Sequence, residues 1–257
     1  MSFPGLTWEA NFKEKPMYVE TPYQRRYEDF RKDGKMRLGA ILRAYEAAGS
    51  KHSDSVGDNI LEDTHEHKAW IMTDWFVEID EFPKVNQEIV SRTWVEPIKQ
   101  ILFSNRDFET IADGKVCVRC VGRYVMVDLE TGRPLKIGPE FADQYKPEDR
   151  QAIEMDKPPR PITVDPAAFT NEVALTVRRS DIDYNDHVHN LTYIDYAFEA
   201  LPHDVYKNYD FKGFRVTYKQ AVKPHEELVC KYAFVENKHV CCIFDKAGEL
   251  KTQVEFY

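Results

Sequence analysis

An internal repeat constrains the fold of this chain more than any other feature of its sequence. Each half contains a helical stripe of apolar residues with the i, i+3, i+4, i+7 spacing that predicts one buried helix face. The stripes are Leu38, Ile41, Leu42, Tyr45 and Ala48 in the first half, and Leu191, Ile194, Ala197, Phe198 and Leu201 in the second. Placing Glu46 on Glu199 also superposes Leu38 on Leu191. The repeat predicts one supersecondary unit that occurs twice.

Each helix is followed by predicted strands that are separated by turn residues such as Asp113-Gly114 and Lys246-Ala247-Gly248. The predicted strands are 70–79, 88–95, 102–112 and 116–128 in the first copy, and 213–222, 227–236, 239–245 and 250–256 in the second. A long helix followed by successive antiparallel strands is typical of the hotdog unit. We therefore expect an α+β fold, a tandem (double) hotdog in which each half is an antiparallel sheet wrapped around a central helix.

A proline-rich segment separates the two copies. Between Pro134 and Pro166 the chain holds seven prolines, which break helices and central strands. We expect a crossing segment with at most one short helix, around 142–154. The predicted division is a first hotdog over 1–137 that shapes a pocket, a linker over 138–170, and a second hotdog over 171–257.

The net charge of −9 disfavours a general nucleic-acid or anionic-membrane binder, because those partners need a basic surface. A local basic run that includes Arg31, Lys32 and Lys35 is compatible with an acidic protein partner or with a solvated charged face. The segment 1–10 lacks a signal-peptide pattern, and no apolar run is long enough to span a bilayer. We expect a cytoplasmic protein.

The cysteines and histidines outside the repeat do not predict a metal or redox site. The five cysteines are odd in number, and the Cys117/Cys120 pair lies within a predicted strand with no second pair to complete a zinc site. His65 and His67 lie in a polar run with no evident third ligand set. We expect no metal and no cofactor.

The most informative stretch for chemistry is the loop 179–190, which precedes the second helix. If it is extended, Asp183, Asn185 and His187 point to one face, beside a helix N-terminus whose N–H groups polarise a carbonyl. These groups could activate water and stabilise an oxyanion. The alternative is a polar loop whose Asp and Asn side chains only cap the helix and shape turns.

The repeat helps to decide between these alternatives. In register with the helices, the three residues fall on Phe30, Lys32 and Gly34 of the first copy. Polar groups that served only the fold would be expected in both copies. We therefore expect one active site per chain, in the second half.

The segment 181–193, Asp-Ile-Asp-Tyr-Asn-Asp-His-Val-His-Asn-Leu-Thr-Tyr, resembles the signature of plant and bacterial acyl-ACP thioesterases. Blocks at 75–83, 92–94, 105–108 and 133–137 resemble the same family in the same order. The resemblance implies hydrolysis of fatty acyl-acyl carrier protein thioesters at Asp183, Asn185 and His187, with Asp183 or His187 as general base and Asn185 positioning the thioester or water. It also implies substrate binding by Asn190, Tyr193 and Trp75, and carrier-protein binding by Arg31, Lys32 and Lys35.

Two departures from the family pattern bear on the mechanism. A glutamate that the family carries three residues after a tyrosine falls on Ala221, and His189 replaces an asparagine. Glu226 or Glu199 could supply the missing carboxylate. The competing functions are an acyl-CoA thioesterase and a non-catalytic acyl-carrier-binding hotdog protein. A homodimer is also possible.

Overall fold

The structure, a computed structural model, describes residues 18–58, 67–155 and 157–257, so the N-terminal segment and His65 lie outside the described residues. Within them, ten strands form one antiparallel sheet in the order β1-β3-β4-β5-β2-β7-β10-β9-β8-β6. The strands are β1 Tyr18–Pro22, β2 Lys68–Ile79, β3 Ile89–Val95, β4 Ser104–Ala112, β5 Lys115–Asp128, β6 Asn171–Thr176, β7 Gly213–Tyr218, β8 Glu227–Val235, β9 Lys238–Asp245 and β10 Leu250–Phe256. The helices are α1 Leu38–Val56, α2 Glu140–Asp143, α3 Thr192–Ala200 and α4 His203–Asn208.

The strand order confirms the repeat. Counted outward from the β2–β7 contact, the strand order is β2-β5-β4-β3-β1 in the first half and β7-β10-β9-β8-β6 in the second. Along the chain, each half begins with one strand, continues with a helix of the core and ends with four strands. All eight predicted strands are present with small shifts of their ends, except that the strand predicted over 213–222 ends at Tyr218. The sequence did not predict β1 and β6, which lie at the two edges of the sheet and alternate only weakly between buried and exposed residues.

The two long helices bury the predicted apolar stripes in one hydrophobic core that also takes in the sheet. Leu38, Ile41 and Tyr45 of α1 are fully buried. The helix ends at Gly57, whose positive φ of 82° lets its N–H donate to the carbonyls of Ser53 and Asp54. The helices therefore hold their preceding loops in fixed positions against the sheet.

A buried ion pair joins the two half-sheets. Arg215 of β7 donates to Asp74 of β2, with Nη2 and Oδ1 2.6 Å apart, and Thr217 donates to the same oxygen at 3.0 Å. The other guanidinium nitrogen, Nη1, donates to the carbonyl of Pro159 in the linker at 2.6 Å. Because an uncompensated buried charge costs about 3–5 kcal/mol, removing either partner would weaken the contact between the halves and the linker together.

The described linker residues contain one short α-helix, within the limit that the sequence predicted. Only the four-residue α2 forms, at the start of the predicted range, and α4 was not predicted.

The five cysteines are unpaired and buried, including Cys117 and Cys120 in β5. None of the described helices is long and apolar enough to cross a membrane.

Candidate active site

The loop 179–190 is a tight turn, so the expectation of an extended segment is wrong. A short 3-10 turn at Arg179–Asp181 leads into a bridge between Ile182 and Val188. Between them, the Asp183 N–H donates to the His187 carbonyl at 2.8 Å, and Asp186 takes a positive φ of 62°. An aspartate tolerates this conformation better than most residues. The alternation that would point three side chains to one face is therefore absent.

The carboxylate of Asp183 organises this turn. Its Oδ1 accepts from the backbone N–H of Asn185 at 2.8 Å and, more weakly, from that of His187 at 3.4 Å. Asp183 and His187 are half-buried, whereas Asn185 is exposed. The structure thus brings the three predicted residues into one turn. The Asp183 side chain contacts the other two through their backbone N–H groups.

The first half forms the same turn with other residues. There the Arg31 N–H donates to the Lys35 carbonyl at 2.8 Å, and Gly34 takes the positive φ. Arg31 therefore corresponds to Asp183, which corrects the sequence register over this loop by one residue. Asp33 and Lys35 correspond to Asn185 and His187. The turn does not require an aspartate and a histidine at these positions, because it forms in the first half without them.

Asp181 is a site residue that the sequence analysis missed. It is 4% exposed and accepts from the Tyr196 hydroxyl at 2.7 Å and from the side chain of Arg178. Burial acts to raise the pKa of Asp181, but these hydrogen bonds outweigh it and hold the pKa below its usual value. The equivalent residue of the first half is Asp29, also buried, which suggests an anchoring role. The Arg178 backbone N–H also donates to the Asp181 carboxylate at 2.8 Å.

The three predicted substrate-binding residues lie behind the loop. The Asn190 carbonyl accepts from the Tyr218 hydroxyl at 2.8 Å. The Tyr193 hydroxyl accepts from the Val222 N–H at 3.2 Å, and the ring is 2% exposed. Trp75 is fully buried, with its ring centroid 5.4 Å from that of Phe108. Tyr193 and Trp75 are therefore packed in the core, and their binding of substrate stays a prediction.

No carboxylate replaces Ala221 in its own segment. Ala221 is exposed, and Glu226 accepts from the Lys223 N–H at 3.0 Å within the next turn. Glu199 is exposed on α3. A carboxylate does reach the loop from the other half, since Glu46 of α1 lies against His189, with Oε2 and Nε2 3.2 Å apart.

The predicted carrier-binding residues differ in their availability. Arg31 donates to the Tyr209 carbonyl and to Asp33, and its guanidinium lies 4.2 Å from the Tyr209 ring centroid. Lys35 pairs with Asp210 at 2.6 Å. Lys32 is exposed and makes no ion pair among the described residues. Of the three, Lys32 offers an unneutralised charge.

A cavity of about 330 Å³ adjoins the loop. Its lining residues are Val177, Arg178, Arg179, Ile182, Asp186, Pro224 and His225. The lining combines three apolar residues with two arginines, a histidine and an aspartate. His67 is exposed, 3.9 Å from Glu130, and the described residues contain no group of three or more potential metal ligands.

Family models match both halves of the chain. The acyl-ACP thioesterase N-terminal domain matches residues 16–145, and the C-terminal domain of the same family matches residues 165–254.

Individual relatives agree with these matches. The chain is 27% identical over 164 residues to an oleoyl-acyl carrier protein thioesterase from Arabidopsis thaliana, covering 60% of this chain and 44% of the relative. It is 25% identical over 206 residues to a dodecanoyl-[acyl-carrier-protein] hydrolase from Cinnamomum camphora, covering 73% and 52%. Both relatives are chloroplastic, and the chain spans about half of their length.

Solved structures share the fold over nearly the whole chain. The 12:0-ACP thioesterase from Umbellularia californica superposes with a TM-score of 0.85 at 19% identity, covering 95% of this chain and 98% of that one. An acyl-ACP thioesterase from Bacteroides thetaiotaomicron superposes with a TM-score of 0.82 at 23% identity, covering 93% and 97%. The double hotdog fold and the two family matches together establish that this chain belongs to the acyl-ACP thioesterase family.

Proposed function

We propose that the protein hydrolyses fatty acyl-acyl carrier protein thioesters and releases the free fatty acid, with its one active site at the loop 179–190. The observation that carries this proposal is the pair of equivalent turns. Both halves form the same backbone turn, but only the second places Asp183, Asn185 and His187 in it. Membership of the acyl-ACP thioesterase family supports the same reaction.

The loop holds the groups that the reaction needs. Thioester hydrolysis requires a base that takes a proton from water and donors that stabilise the oxyanion. The Asn185 amide and the His187 imidazole are donors that can polarise the carbonyl. Asp183 and His187 are the candidates for the base within the turn itself. Water is the only co-reactant, so the reaction uses no cofactor.

The surface beside the loop suits the carrier. The cavity of about 330 Å³ is lined by apolar residues and by Arg178 and Arg179, which could receive a pantetheine arm and its phosphate. Lys32 and Arg37 are exposed, and so are Arg43 and Arg178, which pair with Asp29 and Asp181. An acidic carrier protein would dock there by charge complementarity.

The two halves divide the work in this proposal. Residues 1–137 shape the acyl pocket, 138–170 form the linker and 171–257 carry the chemistry. The five unpaired cysteines favour a reducing compartment, with the cytoplasm as the proposed one. A homodimer is also part of this proposal.

The test compares kcat/KM on a panel of acyl-ACPs with kcat/KM on acyl-CoAs of the same chain lengths. We expect fatty acid release with a clear preference for the carrier-bound substrates. Preference for acyl-CoA would favour the rival thioesterase. Binding of acyl-ACP without release would assign the protein to non-catalytic acyl-carrier binding.

A further inference from the structure

An ion pair between the two halves lies at the end of the active-site loop. His189 Nε2 and Glu46 Oε2 are 3.2 Å apart, and both side chains are partly shielded from water, at 39% and 31% exposure. His189 ends the loop of the second half, while Glu46 projects from the middle of α1 in the first. The pair therefore exists only because the two halves pack together.

Backbone hydrogen bonds hold the main chain at His189 in place. Its backbone N–H donates to the Asp181 carbonyl at 2.8 Å, and the preceding Val188 N–H donates to the Val222 carbonyl at 2.8 Å. With Nε2 held by Glu46, Nδ1 has no hydrogen-bond partner among the described residues. One ring nitrogen is thus held by a carboxylate while the other is left for a small molecule.

This arrangement resembles a catalytic carboxylate–imidazole pair in its chemistry. A carboxylate that accepts from one ring nitrogen fixes the tautomer and leaves the other nitrogen as a base. Asp183 is less suited to that task, because its Oδ1 already accepts two backbone N–H groups. Ala221 supplies no carboxylate, and the Val222 that follows it is hydrogen-bonded beside His189.

We propose that His189 is the general base of the hydrolysis and that Glu46 is the positioning residue that orients it, in place of the carboxylate absent at Ala221. This inference rests on the proposed hydrolase function. In this inference the Asn185 amide and the His187 imidazole donate hydrogen bonds to the thioester carbonyl.

The reaction balances with this base. Nδ1 of neutral His189 takes a proton from water as the water oxygen bonds to the thioester carbon, and the carbonyl electron pair moves to oxygen. The tetrahedral intermediate then collapses, the C–S bond breaks, and the departing sulfur takes the proton back from His189. The products are the fatty acid and the thiol of the carrier.

The electrostatic environment gives this role a pH signature. The hydrogen bond that His189 Nε2 donates to Glu46 raises the pKa of His189, and the charges of Glu46 and Asp183 add to the rise, while burial and Arg43 oppose it. Tyr124 of β5 and Tyr218 of β7 also lie in the field of Glu46. A base works only when deprotonated, so activity should fall as pH drops through the pKa of His189. Removing the Glu46 charge should move that fall to lower pH.

The repeat supplies a matched control. Glu199 is the counterpart of Glu46 in the second helix, and it is exposed. Glu46→Gln and Glu199→Gln make the same chemical change on equivalent faces of the two helices. Only the first removes a partner of His189.

The experiment measures kcat against pH for acyl-ACP hydrolysis, with the melting temperature of each variant. We expect His189→Asn to lower kcat by about 10²-fold or more and Glu46→Gln by about 10-fold, with the acidic limb moved to lower pH. The double variant should be no slower than His189→Asn, because the two groups act as one unit. Glu199→Gln should match wild type.

Two results would overturn the inference. Wild-type kcat and pH profile in a folded His189→Asn variant would exclude His189 as base and leave the proposed function intact. A loss in Glu46→Gln that follows only a lowered melting temperature, with an unmoved acidic limb, would make the pair structural. Absence of hydrolysis by wild type would reject the proposed function, and the inference with it.

Discussion

Asp183 occupies in the second half the position that Arg31 occupies in the first. Each donates its backbone N–H to the carbonyl four residues later, at 2.8 Å in both cases. The two side chains have opposite charges and different partners, since Asp183 accepts from its own turn and Arg31 reaches Tyr209. The same backbone turn therefore holds the proposed catalytic residues in the second half and a structural contact of Arg31 in the first.

The first prediction separates the two roles of Asp183. Asp183→Asn keeps an oxygen that accepts the Asn185 N–H, so the melting temperature should stay near that of wild type. Asp183→Ala removes this acceptor and should cost about 1 kcal/mol of unfolding free energy. Both should lower kcat, because both remove the carboxylate beside His187 and His189. Thermal melts and acyl-ACP assays on the same preparations would show it, and full activity in Asp183→Asn would count against any role for the charge.

The second prediction concerns carrier docking. Lys32→Glu should raise KM for acyl-ACP and make it more sensitive to salt, while sparing acyl-CoA, because an exposed charge acts through steering. Lys136→Glu makes the same charge change at another exposed lysine and should have little effect. Equal effects of the two variants would assign Lys32 to an ordinary solvated surface.

Arg31→Glu should behave differently from Lys32→Glu. It removes a hydrogen bond to the Tyr209 carbonyl and a cation–π contact, and it repels Asp33. We expect a loss of about 1–3 kcal/mol in unfolding free energy, measured by denaturant titration. An unchanged midpoint would return Arg31 to the docking surface.

The third prediction is a pH dependence of stability outside the active site. Asp107 of β4 is buried and accepts from the Ala152 N–H of the linker at 2.6 Å. Burial and the neighbouring Glu96 raise the pKa of Asp107 well above its usual value. The folded protein then keeps a proton that the unfolded chain releases, so stability falls as pH rises above the ordinary carboxyl range.

Asp107→Asn should remove this loss. The unfolding free energy of the variant should decline less than that of wild type between about pH 5 and pH 8. Asp80→Asn, at an exposed ion pair with Arg119, is the control and should follow wild type in this range. Parallel declines for wild type and Asp107→Asn would show that the carboxyl is ionised in the folded state.

The sequence predicted α1, α3 and eight strands because their buried faces repeat with helix or strand periodicity. It missed β1 and β6 because edge strands bury too little for alternation to appear. It also misjudged the loop, where the turn depends on a positive φ at Asp186 rather than on apolar spacing.

The one-residue error in register has a specific origin. The apolar stripes of the sequence align Leu38 with Leu191, whereas the hydrogen bonds of the loops align Arg31 with Asp183, so the interval between loop and stripe is longer in the second half. Asn190 lies in this interval, and its carbonyl accepts from the Tyr218 hydroxyl. The sequence could not predict the contact between Glu46 and His189 either, because these residues are distant in sequence and meet only in the folded chain.

The most direct test of the central claim is the rate at which the His187→Ala variant releases fatty acid from acyl-ACP. His203→Ala, at an exposed histidine on α4, is the control. Loss of a donor to the oxyanion should lower kcat by about 10²–10³-fold with the melting temperature little changed, while the control keeps wild-type activity. Fatty acid release by His187→Ala at the rate of the control would contradict an active site at this loop.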